Sequence, residues 1–113
     1  MGTYKLRVKA HFDAAHRLIG YDGACANIHG HRWVVEVAYL FNSVGSDGMC
    51  ADFKGLKAEL EAILPDHKYL NDILDINSTA ENIAKWIYSQ IQRPVESVTV
   101  WETPECGVTY AED

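Results

Sequence analysis

Tyr4-Lys5-Leu6-Arg7-Val8-Lys9-Ala10-His11-Phe12 alternates apolar and polar residues without a break. Successive side chains of a strand point to opposite faces. Tyr4, Leu6, Val8, Ala10 and Phe12 therefore line one face, and Lys5, Arg7, Lys9 and His11 the other. The stretch predicts a strand with one buried and one wet face. Arg32 to Phe41 predicts a second strand, with Trp33, Val35, Val37, Tyr39 and Phe41 on one side, and Gly20-Tyr21-Asp22-Gly23 between the two strands is turn chemistry.

Helical spacing follows the two strands. Asp52 is placed to cap a helix carrying Phe53, Leu56, Leu60, Ile63 and Leu64 at helical intervals, and Pro65 ends the pattern. Ser78-Thr79-Ala80-Glu81 has the form of a capping box, Ile83, Ile87 and Ile91 mark one helical face, and Pro94 stops it. Val95 to Glu102 predicts a third strand and Val108 to Tyr110 a short fourth. The order ββααββ is an α+β pattern. Two helices can cover one face of a four-stranded sheet; the other face or the edges must be wet or buried by further copies of the chain.

The 113 residues predict a single domain, 1–113. Leu, Ile, Val and Phe make up about a quarter of the chain, enough for a core and above the range of disordered sequences. A net charge of −6 argues against general nucleic-acid binding, which depends on Lys and Arg neutralising phosphates. It leaves room for a small anion in a locally basic pocket. No apolar run is long enough to span a membrane. Met1-Gly2-Thr3-Tyr4-Lys5 lacks the apolar stretch of an export signal, and the expected location is cytoplasmic. Cys25, Cys50 and Cys106 are odd in number and irregularly spaced, which argues against a disulfide framework. Cys50 and Cys106 are read as small packing residues.

The densest chemical signal is Cys25-Ala26-Asn27-Ile28-His29-Gly30-His31. In an extended segment His29 and His31 point the same way. If the first two strands form a hairpin, His16 at the end of Phe12-Asp13-Ala14-Ala15-His16 comes close to both. Three histidines and an open position form a catalytic zinc site. A closed structural site with Cys25 as fourth ligand fits the spacing equally well. Asp66-His67 is a second feature, because an acidic neighbour orients an imidazole and supports its protonated form; surface Asp-His pairs without a role look the same. Glu102 shares strand parity with Val98 and Val100. If it points inward it needs a partner, and a flat edge with two parallel N–H donors would suit it; otherwise it is an exposed strand-end residue.

Phe12 to His16, Cys25-x-x-x-His29-Gly30-His31, Asp66-His67-Lys68-Tyr69-Leu70-Asn71-Asp72, Thr79-Ala80-Glu81-Asn82 and Glu102-Thr103, in this order, resemble the 6-pyruvoyl-tetrahydropterin synthase family over nearly the whole chain. Within it, the chain is most similar to the bacterial 6-carboxy-tetrahydropterin synthase branch of queuosine biosynthesis. The resemblance implies a tunnelling fold: a four-stranded antiparallel sheet with two helices on one face, trimers joined through their sheets, and two trimers stacked as a hexamer. It implies that His16, His29 and His31 bind zinc, that Cys25 is the catalytic thiolate, and that Asp66 and His67 form a proton relay. It further implies that Glu102 anchors the amino-pyrimidine edge of a pterin and that Thr79 contacts a pterin held by a neighbouring subunit. The implied substrate is 7,8-dihydroneopterin triphosphate. The implied products are 6-carboxy-tetrahydropterin, acetaldehyde and triphosphate, with the 6-pyruvoyl reaction as close alternative and a non-catalytic zinc-stabilised assembly module as the alternative from another class. Pro65 and Ser78 depart from the family's usual Leu and Pro, and Ile28 precedes His29 where folate-branch variants use Glu. Arg17, Arg32 and Lys68 lie near the motifs as candidate partners for a triphosphate.

Overall fold

The computed structural model describes residues 2–113; Met1, the first residue of the N-terminal segment considered above, lies outside the described residues. Strand β1 (Tyr4–His16) leads through a single 3₁₀ turn (Ala24–Ala26) into β2 (His29–Phe41). Then come α1 (Phe53–Ile63), β3 (Lys68–Tyr69), α2 (Leu70–Ile73), α3 (Ala80–Gln90), β4 (Val95–Thr103) and β5 (Cys106–Ala111). The sheet order is β3-β1-β2-β4-β5. β1–β2, β2–β4 and β4–β5 are antiparallel, and β1–β3 is parallel.

This is the α+β architecture expected, with two additions. The sheet has a fifth strand, so it is mixed and not purely antiparallel. β3 is two residues long and carries no periodicity a sequence could show. It arises from docking: the His67 N–H donates to the Asp13 carbonyl at 2.7 Å, and His67 adopts a left-handed backbone with φ 57° to turn the chain onto the edge of β1. The second addition is α2, a single turn directly after β3. The first two strands also run further than their alternation suggested, to His16 and from His29.

The apolar faces meet as the alternation requires. Val8, Phe12, Trp33, Val35, Val37, Val98 and Val100 pack against Leu56, Leu60, Ile83 and Ile87 in one buried cluster. Each fully buried aliphatic side chain contributes roughly 1.5–3 kcal/mol. α1 lies on β1, and α3 on β4 and β5. The opposite face is lined by Lys5, Arg7, Lys9 and His11, all exposed, and no helix among the described residues covers it. No helix among the described residues is long and apolar enough to cross a membrane.

Local signals hold at α1. The Asp52 carboxylate accepts from the Lys54 N–H at 3.0 Å, and Leu64 is extended ahead of Pro65. At α3 the cap sits one residue later than the Ser78–Glu81 box implies. Thr79 Oγ1 accepts from the Asn82 N–H at 3.2 Å, while Ser78 is fully buried and has other partners. Cys50 is half-buried, but Cys106 is exposed at the start of β5, so it is not a packing residue.

Candidate metal and active site

The hairpin register assembles the histidines. His16 pairs with His29 and Ala14 with His31 across β1 and β2. Directly opposed residues share a face, as do residues two apart on one strand. The three imidazoles therefore stand together on the helix-covered face. Their ring centroids are 4.6, 5.3 and 4.9 Å apart, and Trp33 lies edge-on to His16 and His31 at 4.9 and 5.2 Å.

Their hydrogen bonds fix which nitrogens are free. His16 Nδ1 is 2.7 Å from the Ser78 carbonyl oxygen, and His29 Nδ1 is 2.7 Å from that of Asn27. A carbonyl only accepts, so each Nδ1 carries the proton and Nε2 keeps its lone pair. Nε2 of His16, of His29 and of His31 is buried with no well-aligned hydrogen bond, and the one close polar neighbour of His31 Nε2 is the Glu102 carboxylate. Such atoms cost about 1–3 kcal/mol each when left alone. Three gathered at one place form a ligand set, and two of them, His16 and His29, are held as metal-binding histidines usually are, by donation from the other ring nitrogen to a carbonyl. Burial lowers the pKa of His16 and of His31, opposed at His16 first by the Ser78 hydrogen bond and at His31 first by the Glu102 charge. The neutral ring is the metal-binding form.

Glu102 completes the cluster. Its Oε1 lies 3.0 Å from His31 Nε2 and 3.9 Å from His16 Nε2, and ligand atoms of these four residues all fall within 4.8 Å of one another. Three imidazole nitrogens at this spacing suit zinc and leave a fourth position open, with the carboxylate beside it. The inward orientation follows the parity shared with Val98 and Val100, both fully buried. A bulge also contributes: Trp101 pairs with Gly107 and Thr103 with Cys106, which leaves Glu102 as an extra residue on β4. A cleft of about 620 Å³ beside it is lined by His31, Trp101, Glu102 and Thr103.

Asp66 and His67 form a second centre. Asp66 Oδ2 is 2.9 Å from His67 Nδ1, and Asp66 Oδ1 accepts from the Asp13 N–H at 2.9 Å. The Asp13 hydrogen bond, followed by that of His67, holds the Asp66 carboxyl below the usual carboxylate range. Both side chains are exposed, and His67 shares with His31 the lining of an open cleft of about 540 Å³.

Of the remaining candidates, Arg32 lines both clefts and Lys68 the second, while Cys25 and Thr79 lie apart from them. Cys25 is half-buried in the 3₁₀ turn, is not a member of the His16, His29, His31 and Glu102 cluster, and lines neither cleft. Thr79 lines neither cleft, and its hydroxyl oxygen caps α3. Arg32 is committed to a bidentate pair with Asp13 at 2.9 and 3.0 Å. Among the described residues, Arg17 and Lys68 have no ion-pair partner.

Sequence reasoning missed the polar support behind His16. The Ser78 hydroxyl lies 3.1 Å from the Arg17 carbonyl and 3.0 Å from Asn71 Oδ1. Asn77 and Asn71 bond the backbone that follows β1. The nearest signal is the pair of uncharged amides, Asn71 and Asn77, flanking Asp72-Ile73-Leu74-Asp75-Ile76, while the capping-box pattern draws Ser78 to the helix instead.

The description "6-pyruvoyl tetrahydropterin synthase" belongs to a family profile that matches residues 5–113. A 6-carboxy-5,6,7,8-tetrahydropterin synthase from Synechocystis sp. is 37% identical over 111 residues, covering 88% of this chain and 86% of that protein. One from Haemophilus influenzae is 29% identical, covering 96% and 99%. The structure of Caenorhabditis elegans 6-pyruvoyl tetrahydropterin synthase superposes with a TM-score of 0.86 at 28% identity, covering 100% of this chain and 98% of that one.

Proposed function

Because this chain belongs to the 6-pyruvoyl tetrahydropterin synthase family, we propose that it is a zinc-dependent lyase converting 7,8-dihydroneopterin triphosphate to 6-carboxy-5,6,7,8-tetrahydropterin. Acetaldehyde and triphosphate are the other products. The observation that carries this reading is the trio of buried Nε2 atoms on His16, His29 and His31, gathered at one point with the Glu102 carboxylate beside them, in a chain 37% identical to a protein of that activity.

These histidines would hold the metal. When bound, zinc supplies a Lewis acid that eases proton removal from the neighbouring substrate side chain. The Cys25 thiolate takes a proton from carbon, and the chain provides it on a turn held apart from the ligand set. His67, oriented through Nδ1 by Asp66, exchanges protons with solvent, which its exposure favours. Glu102 accepts two parallel N–H bonds from the amino-pyrimidine edge of the pterin. Loss of triphosphate and cleavage of the side chain consume one water and need no external oxidant or reductant.

The active unit is a hexamer of two stacked trimers, a state favoured by the uncovered charged sheet face and by the free outer edge of β5. In that assembly Thr79 contacts a pterin bound by a neighbouring subunit.

The 6-pyruvoyl reaction is the second reading, favoured by the 0.86 superposition on the nematode enzyme. Product analysis with 7,8-dihydroneopterin triphosphate separates them. Acetaldehyde together with triphosphate supports the carboxy product, triphosphate with a pyruvoyl pterin supports the second, and no turnover points to an assembly module.

A further inference from the structure

The backbone beyond β1 is held by two side chains acting as a strand. The Arg17 N–H donates to Asn71 Oδ1 at 2.9 Å, and Asn71 Nδ2 donates back to the Arg17 carbonyl at 3.0 Å. Two residues on, the Ile19 N–H donates to Asn77 Oδ1 at 2.9 Å, and Asn77 Nδ2 donates to the Ile19 carbonyl at 3.2 Å. Each primary amide thus satisfies both polar groups of one residue, as a facing residue does in a ladder. The pairing continues the β1–β3 register, in which Ala15 faces Tyr69 and Arg17 next meets Asn71. There the neighbouring chain turns into α2, and a side chain replaces its backbone.

Between these two clamped residues, Leu18 faces the other way. Its N–H donates to the carbonyl of Cys25 at 2.8 Å. That bond ties the 3₁₀ turn carrying the Cys25 thiol to the clamped segment. Asn77 is itself held, since Asn82 Nδ2 donates to its carbonyl at 2.9 Å.

We infer that Asn71 and Asn77 are positioning residues for Cys25: their amides fix residues 17–19, and Leu18 transmits that placement to the thiol. This rests on the proposed role of Cys25 as the base. Asn77 is the cleaner of the two to test. Asn71 also meets Ser78, which bonds the ligand His16, so its loss would disturb the metal site as well.

The experiment uses the zinc-loaded full chain carrying Cys50→Ser and Cys106→Ser, so that Cys25 is the sole thiol. Asn77→Ala removes both bonds to Ile19; Asn77→Asp keeps the acceptor and loses the donor. Zinc content, kcat, KM and the rate of Cys25 alkylation by iodoacetamide are measured on each. A misplacement of about 1 Å can cost ~10²-fold in rate. The expected result is a kcat lowered about 10-fold to 100-fold in Asn77→Ala, with KM and zinc content unchanged. The alkylation rate shifts several-fold, and Asn77→Asp falls in between. An alkylation rate and kcat equal to those of the parent in either folded variant would overturn the inference. Cys25→Ala is run alongside: full turnover in it would refute the base assignment, an outcome distinct from failure of the clamp.

Discussion

The carbonyl oxygen of Ser78 accepts a 2.7 Å hydrogen bond from Nδ1 of His16, joining the entrance of α3 to the end of β1 across 62 positions of sequence. The bond holds a fully buried imidazole in one tautomer and leaves its Nε2 facing the Nε2 atoms of His29 and His31. A site prepared in this way should bind metal in a fixed ratio. One zinc per chain is expected, and His29→Ala or His31→Ala should each reduce it well below that. Elemental analysis of purified variants checks this; full zinc in both would refute the ligand assignment.

The same burial sets a pH dependence in metal-free protein. His16 and His31 both have a pKa below the ordinary 6.5, with burial as the leading cause. Below 6.5 the unfolded chain takes up protons that these folded rings refuse, so stability falls with decreasing pH until the folded values are reached. Above 6.5 this contribution is flat. Urea unfolding of chelator-treated protein from pH 8 to pH 5 should show the midpoint declining only in the acidic part of the range. A flat profile would mean the rings titrate normally.

Glu102 lies between two roles, because its carboxylate is 3.0 Å from His31 Nε2 and also lines a cleft. As pterin anchor it accepts two N–H bonds, whereas an amide accepts on one side only. Glu102→Gln should weaken binding of a non-reactive pterin by about 1.5–3 kcal/mol, the range for hydrogen bonds to charged groups. Zinc content should be unchanged. Calorimetric titration and metal analysis on one preparation decide it, and loss of zinc would make Glu102 a ligand instead.

Gly107 supports the bulge that aims Glu102. A Cβ at this position would lie 2.6 Å from Trp101 Cε3 and 2.9 Å from the Val100 carbonyl oxygen. Gly107→Ala should therefore destabilise the fold by about 1–3 kcal/mol, as overpacking generally does. Equilibrium urea unfolding measures this, and an unchanged midpoint would show that the indole and the Val100 carbonyl both move aside at little cost.

Much of this was legible in the chain. Strict alternation from Tyr4 to Phe12 set the faces of β1, and a hairpin was enough to bring His16 to His29 and His31. The inward parity of Glu102 was visible, but its contact with the histidines was not, because that depends on a bulge formed against β5. β3 escaped notice because two residues have no period, and it exists only through the docking of His67 on Asp13. Ser78 was misassigned as a cap because Thr79 next to it has equivalent capping chemistry; which hydroxyl faces the helix is decided by the burial of Ser78 against His16.

Cys25→Ala separates a three-histidine zinc site served by its own thiolate base from a site in which the thiol is itself a ligand. Zinc content and the initial rate of acetaldehyde release from 7,8-dihydroneopterin triphosphate are measured on the same preparation. Because general base catalysis typically contributes ~10²–10⁴-fold, full zinc is expected with turnover reduced by about that factor. Loss of zinc together with activity would make Cys25 a ligand, and undiminished turnover with zinc retained would remove it from the mechanism.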